Sequence, residues 1–216
     1  MNHEALLPIA YVIDDEPAVC SSLRRLLRSA GYRVETHTGP SPLFTLGRPQ
    51  APCCLILDVQ MTEMSGLEFK RRLDAQGTRL PVIFITGFGS ISMGIQAMKD
   101  GAVDFLTKPF DGETLLRAVR RALELDARHL ERERILARIE KRFASLTARE
   151  RDVCFAVTDG LLNKQVGAQF GVSEKTIKVH RARVMEKMEA DSLPDLVRMT
   201  DALRPATEPH LSRASA

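Results

Sequence analysis

The chain has 216 residues, 44% of them hydrophobic and 27% charged, with a formal net charge of +3. It is long enough for a sizeable core and leaves room for two domains, and its composition excludes a disordered or fibrous class. No apolar run reaches the roughly 18 residues of a membrane span, and a net charge this small does not by itself specify a nucleic-acid partner.

The first residues, M-N-H-E-A-L-L-P, carry an acid and only a very short apolar stretch, so no secretory signal is expected. The four cysteines, Cys20, Cys53, Cys54 and Cys154, form no C-x-x-C pair. They read as reduced core thiols of a cytoplasmic protein rather than as metal ligands.

Five short apolar runs recur through the first half, at residues 9–13, 33–36, 54–57, 81–85 and 103–106. The runs V-I, L-I-L and V-I-F-I suit strands buried on both faces. Helical patterns lie between them. Val19, Leu23, Leu26 and Leu27 fall on one face of a first helix, with Pro17 near its start. Residues 41–46 are a weaker candidate for a second helix. Leu67 and Leu73 mark the next, and Ile91, Ile95 and Met98 another that Gly101 ends. Leu115, Leu116, Val119 and Leu123 mark the last helix of this half. Alternating strands and helices imply a parallel sheet covered on both sides.

After Leu123 the texture changes. D-A-R-H-L-E-R-E-R-I-L-A-R-I-E-K-R-F, residues 126–143, has no Gly or Pro and is dense in charge. It reads as a long solvated helical linker. Leu125, Ile135, Leu136 and Ile139 leave open a dimerising coiled coil, although their stripe is short and irregular.

A compact all-helical unit follows. Thr147 and Glu150 form a capping-box pattern at the start of its first helix, which Gly160 stops. A short helix over 163–170 ends at Gly171. Ser173 caps a longer one running to about Met188, and a last helix spans about 192–203. The expected division is 1–125, a linker at 126–144, a helical domain at 145–204 and a disordered tail at 205–216.

In an open parallel sheet, ligands bind beyond the carboxyl ends of the strands. Asp14 and Asp15 end the first strand, Asp58 the third, Thr86 the fourth, and Thr107-Lys108-Pro109 the fifth. Any one such Asp can be a helix cap, and a lone Lys-Pro is usually a turn. Their joint placement at one edge is harder to attribute to capping. Clustered carboxylates repel one another unless a cation neutralises them, and Mg²⁺ suits such a site. An Asp can also attack phosphorus, in a transfer that mainly needs positioning and charge neutralisation.

V-I-D-D-E, L-I-L-D-V-Q-M-T-E-M-S-G-L-E, V-I-F-I-T-G and G-A-V-D-F-L-T-K-P-F occur in order, and residues 8–125 resemble the receiver domain of two-component response regulators. The resemblance implies a flavodoxin-like fold with a five-stranded parallel sheet of order 2-1-3-4-5. It implies Asp58 as phosphoacceptor. Asp15, Asp58 and the backbone carbonyl of Gln60 would ligate Mg²⁺, and Asp14 would act through metal-bound water. Lys108 would contact the phosphoryl oxygen, ahead of a usually cis bond to Pro109. Thr86 would bind the phosphoryl group and Phe105 would move with it as the switch. The family usually has Met-Pro after the phosphoacceptor in D-x-x-M-P; here Thr62 stands in place of the Pro.

The stretch S-E-K-T-I-K-V-H-R-A-R-V-M-E-K-M carries five Lys or Arg residues against two Glu. On a helix, Ile177, Val184 and Met188 share a buried face. Lys175, Lys178, Val179 and Ala182 lie opposite, with Thr176 and Arg183 flanking. Charge alone would fit an ordinary solvated helix. Behind a short helix and the tight turn Gly171-Val172-Ser173, it forms a helix-turn-helix. Residues 145–203 resemble the four-helix LuxR-type domain, and the whole arrangement resembles the FixJ branch of the NarL/FixJ regulators. By that resemblance Lys178 and Val179 read base edges, and Ala182, where relatives often carry a longer polar residue, makes at most a methyl contact. Asn163, Lys164, Ser173, Lys175 and Thr176 hold the DNA backbone, with Arg181 and Arg183 as additions. The implied partners are a sensor histidine kinase, promoter DNA, RNA polymerase and a second copy on phosphorylation, with no membrane. Two alternatives remain at this stage: a phosphatase with an aspartyl nucleophile, and a receiver that works without phosphorylation.

Overall fold

A computed structural model describes residues 7–39, 48–87 and 91–204. The expected helix at 41–46 and the tail at 205–216 lie outside the described residues. Two compact units are present, Met1–Glu131 and Arg132–Ala216.

The first unit alternates β1 (Ile9–Ile13), α1 (Pro17–Ser29), β2 (Arg33–His37), β3 (Cys53–Asp58), α2 (Gly66–Ala75), β4 (Val82–Thr86), α3 (Ile91–Lys99), β5 (Asp104–Thr107) and α4 (Gly112–Ala144). The strands form one sheet in the order β2-β1-β3-β4-β5, and every pairing is parallel. The period of two in each strand divides the core. Ile9, Tyr11, Ile13, Leu55 and Leu57 pack on one side with Phe69 and Leu73 of α2 and Ala97 of α3. Ala10, Val12, Cys54 and Ile56 pack on the other with Cys20, Leu23 and Leu27 of α1 and Leu115 and Val119 of α4. Both faces are covered, which explains why the central strands read as continuous apolar runs.

Four strands run one residue beyond the apolar runs, β2 among them, where His37 pairs with Ile13. Strand β3 reaches Asp58 because Asp58 still pairs with Ile85. Strands β4 and β5 run to Thr86 and Thr107, which pair with each other.

The larger difference is at α4. The last core helix and the linker are one helix of 33 residues. The change of texture near Leu123 marks a loss of burial, and no residue there breaks a helix. Residues 131–138 are all exposed, as a solvated helix requires. Leu125, Ile135 and Leu136 are exposed, whereas Ile139 is buried. Asp126 runs against the charged texture around it. It is 1% exposed; its Oδ2 accepts the Cys53 amide at 2.8 Å, and its Oδ1 accepts from Arg48 at 2.8 Å. The described cysteines are all free and buried. Burial pushes the Cys53 thiol up to about 12 and the Cys154 thiol to about 11.

The second unit contains α5 (Ala148–Thr158), α6 (Asn163–Phe170), α7 (Glu174–Met188) and α8 (Leu193–Leu203), entered through the end of α4. Its core joins Ile139, Leu146, Val153, Val157, Val166, Ile177, Val184, Met188 and Leu196. Thr147 and Glu150 form the expected reciprocal cap. Gly171 ends α6 in the left-handed conformation, at φ 67, which glycine adopts without a Cβ penalty. Ser173 then caps α7 by accepting the Thr176 amide at 3.1 Å.

Candidate functional site

The carboxyl edge of the sheet gathers the expected polar groups. Asp14 is fully buried beyond β1, and Asp58 ends β3 at 4% exposure. Lys108 follows β5 and lies between them. Its Nζ donates to Asp14 Oδ2 at 2.7 Å and to Asp58 Oδ2 at 2.9 Å. The remaining oxygens are also used: Asp14 Oδ1 accepts the Glu16 amide, and Asp58 Oδ1 accepts the Gln60 amide. Burial pushes the Asp14 carboxyl up, against the lowering effect of the Lys108 hydrogen bond. For Lys108, burial alone would lower the pKa, but hydrogen bonds to Asp14 and Asp58 outweigh it and the net shift is upward. The site therefore holds a partly buried ammonium between two buried carboxylates.

The neighbouring residues fix this geometry. Asp58 pairs with Ile85, so Thr86 lies one residue beyond it on the adjacent strand, fully buried. The Lys108 amide donates to the Thr86 carbonyl at 2.7 Å, and the Lys108-Pro109 bond is cis, as the resemblance implied. Phe105 lies two residues before the partner of Thr86 on β5 and is half-buried. Helix α3 gives it room, since a Cβ on Gly94 would come within 3.3 Å of its ring. Gly66 is needed for a closer approach: a Cβ there would lie 2.2 Å from the Asp58 carbonyl oxygen.

Asp14, Glu16 and Asp58 offer carboxylate oxygens that all lie within 4.8 Å of one another. An all-oxygen, all-carboxylate donor set fits a hard divalent cation such as Mg²⁺. The sequence reading placed Asp15 in that set and left Glu16 without a role. Here Glu16 Oε1 lies 3.7 Å from Lys108 Nζ, while the Asp15 carboxylate accepts hydrogen bonds from the Thr62 amide and hydroxyl. Glu16 was legible as a third consecutive acid; Thr62 was legible only as an odd residue, with nothing to indicate its partner.

The second candidate region lies on α6 and α7. Ile177, Val184 and Met188 are buried, and Lys175, Lys178, Val179, Ala182 and Arg183 are exposed, so the expected faces separate cleanly. Lys164 is exposed on α6, and Asn163 Oδ1 accepts from Arg181 at 3.4 Å. Thr176 is tied to the cap, its hydroxyl 2.8 Å from that of Ser173. Lys178 pairs with Glu174 one turn earlier at 3.0 Å. Gly167 sets the angle of the turn, because a Cβ there would lie 2.8 Å from the Val172 carbonyl. From behind, α7 is held by Lys187, which donates to Glu150 Oε2 at 2.6 Å. The Lys187 hydrogen bond, followed by the Thr147 amide, holds the Glu150 carboxyl down to about 2. Sequence reading missed this pair, whose members are 37 residues apart.

No helix among the described residues is long and apolar enough to cross a membrane. Residues 10–120 match the model of the response regulator receiver domain. Residues 144–200 match that of the bacterial regulatory proteins of the luxR family. The response regulator protein TmoT of Ectopseudomonas mendocina is 42% identical over 91% of this chain and 89% of its own length. The transcriptional regulatory protein FixJ of Azorhizobium caulinodans is 43% identical over 89% of this chain and 91% of its own. The solved structure of the response regulator StyR superposes with a TM-score of 0.81 at 40% identity, over 90% of this chain and 98% of that one. These likenesses run through both units and the helix that links them. The chain is thus a transcription regulator rather than an enzyme, and it belongs to the two-component response regulators of the NarL/FixJ family, with a receiver domain followed by a LuxR-type DNA-binding domain.

Proposed function

We propose that Asp58 accepts a phosphoryl group from a sensor histidine kinase, and that phosphorylation promotes dimerisation and promoter binding in the cytoplasm, activating transcription by RNA polymerase. The supporting observation is the Lys108 ammonium between the buried Asp14 and Asp58 carboxylates, at the strand ends where α/β sheets bind ligands. In the transfer, the bond from phosphorus to the kinase histidine nitrogen breaks as a bond to an Asp58 carboxylate oxygen forms. A bound Mg²⁺, held by Asp58 with Asp14, Asp15 or Glu16 and the Gln60 carbonyl, would supply positive charge beside the phosphoryl oxygens. Lys108 would turn from the Asp58 carboxylate to a phosphoryl oxygen. The Thr86 hydroxyl would move toward the same group, freeing space for Phe105 to turn inward and altering the surface of α3, β5 and α4.

In the second unit, Lys178 and Val179 would read base edges, with a methyl contact from Ala182. Asn163, Lys164, Ser173, Lys175, Thr176, Arg181 and Arg183 would hold the phosphates. The exposure of Lys178 and Val179, at 62% and 47%, supports this assignment.

Incubation with acetyl phosphate and Mg²⁺, followed by intact-mass measurement, tests the first half. Wild type should gain one phosphoryl group and Asp58→Asn none; an equal adduct on both would refute it. In the second half, Lys178→Ala should lose discrimination at one base position, whereas Lys164→Ala should weaken all sequences alike. Identical losses on every operator variant would count against the assignment.

A further inference from the structure

The residue that departs from the receiver pattern makes a contact that the usual proline cannot make. The Thr62 amide donates to Asp15 Oδ2 at 3.0 Å, and its hydroxyl donates to the same oxygen at 2.7 Å. Proline has no N–H and no hydroxyl, so neither bond can form when the usual residue stands at this position. The contact spans 47 residues of sequence and ties the end of β1 to the loop after β3. Asp15 is also absent from the group of carboxylates whose oxygens cluster within 4.8 Å, which consists of Asp14, Glu16 and Asp58.

We propose that Thr62 is a clasp that competes with a divalent cation for Asp15. With the clasp closed, the pocket offers Asp14, Glu16 and Asp58. For Asp15 to join the cation's ligands, Oδ2 must give up two hydrogen bonds or the carboxylate must turn its other oxygen inward against them. A carboxylate already satisfied by two donors gains less from a cation than a free one. Thr62 is thus a positioning residue: it touches neither the cation nor the phosphoryl group, and it sets how much Mg²⁺ is needed before Asp58 can react. The proposal rests on the reading of this pocket as a divalent-cation site.

The chain has no tryptophan, so binding is followed by calorimetric titration of MgCl₂ into the full-length protein. Thr62→Val keeps the amide and the shape but removes the hydroxyl. Thr62→Pro removes both donors, and Thr62→Ser keeps both. The expected dissociation constants are about threefold lower than wild type for Thr62→Val and about tenfold lower for Thr62→Pro, with Thr62→Ser within about twofold of wild type. Unchanged tyrosine-monitored urea midpoints would show that the variants fold normally. Equal affinity of Thr62→Val and wild type, with Asp58→Asn still weakening binding, overturns the clasp and leaves the cation site standing. A gain confined to Thr62→Pro also overturns it, since the threonine hydroxyl would then play no part in holding Asp15 from the cation. Failure of every form to bind Mg²⁺ removes the cation reading and the clasp together.

Discussion

Replacing Lys108 with methionine tests the electrostatics of the receiver pocket. The Lys108 side chain is 18% exposed and donates to two carboxylates whose side chains are 0% and 6% exposed. Methionine fills similar space but leaves Asp14 and Asp58 buried without their cation. Breaking a buried pair in this way costs about 3–5 kcal/mol. The alternative open to the site is to protonate Asp14, whose carboxyl is already pushed up by burial and is restrained by Lys108. Without Lys108 it rises further. Between the ordinary Asp value and that raised one, the folded variant binds a proton that the unfolded chain does not. Its stability therefore falls as pH rises through that window and is regained on acidification. The deficit relative to wild type is largest at pH 7 and shrinks toward pH 4. The assay comes from composition: the chain has two tyrosines and no tryptophan, and Tyr11 and Tyr32 both lie in the first unit. Tyrosine emission during urea unfolding thus reports the receiver alone. At about 2 kcal/mol per molar of urea, the midpoint in magnesium-free buffer should fall by about 1.5–2.5 M at pH 7, and adding Asp14→Asn should restore part of it. A fall below about 0.5 M, or an equal deficit at pH 7 and pH 4, would refute the reasoning.

Three further outcomes follow from named contacts. The Glu150 carboxyl is held down to about 2 from 4.5, so its contribution is present above pH 4.5 and is lost as pH falls toward 2. Lys187→Met should weaken the second unit by about 1–2 kcal/mol at pH 7, allowing for screening at the part-exposed lysine. It should also flatten that acid dependence, as read by amide exchange in α5. Gly66→Ala places a methyl 2.2 Å from the Asp58 carbonyl and should cost about 2–3 kcal/mol in the tyrosine assay. Gly112→Ala meets only the far end of the Leu26 side chain, at 3.3 Å, and should change the midpoint little, so equal effects would count against the steric account. Gly167→Ala drives a methyl toward the Val172 carbonyl at 2.8 Å; it should weaken operator binding at least tenfold in a gel-shift titration, and an unchanged affinity would show that the turn yields without moving α7.

The sheet was legible because its strands are buried on both faces and so read as unbroken apolar runs, and its order came from the family resemblance. The helical unit was legible because its start and stop signals are local: Thr147, Gly171 and Ser173 act on the residues beside them. At the receiver pocket, Asp14, Asp58, Thr86 and Lys108 could be placed because a strand end fixes where a side chain emerges. What remained hidden depended on distant partners. Glu150 was expected as a cap, but its bond to Lys187 was not. Asp126 sits in a run of charge that reads as solvent-facing, and its burial follows from the start of a strand 73 residues away. Helix α4 was divided at a change in burial, which the backbone does not follow.

Asp126 also sets the phase of α4. Its carboxylate fits the Cys53 amide at one rotation and one height of the helix. A residue inserted between Gly112 and Asp126 would turn everything after it by about 100° and advance it by about 1.5 Å, withdrawing the carboxylate from β3 and breaking its bonds to the Cys53 amide and to Arg48. A residue inserted in the exposed stretch 131–138 would leave that fit intact. The two parts of one helix therefore differ in their tolerance of length change: the first is indexed to the sheet, and the second is free to vary in length without cost to the receiver.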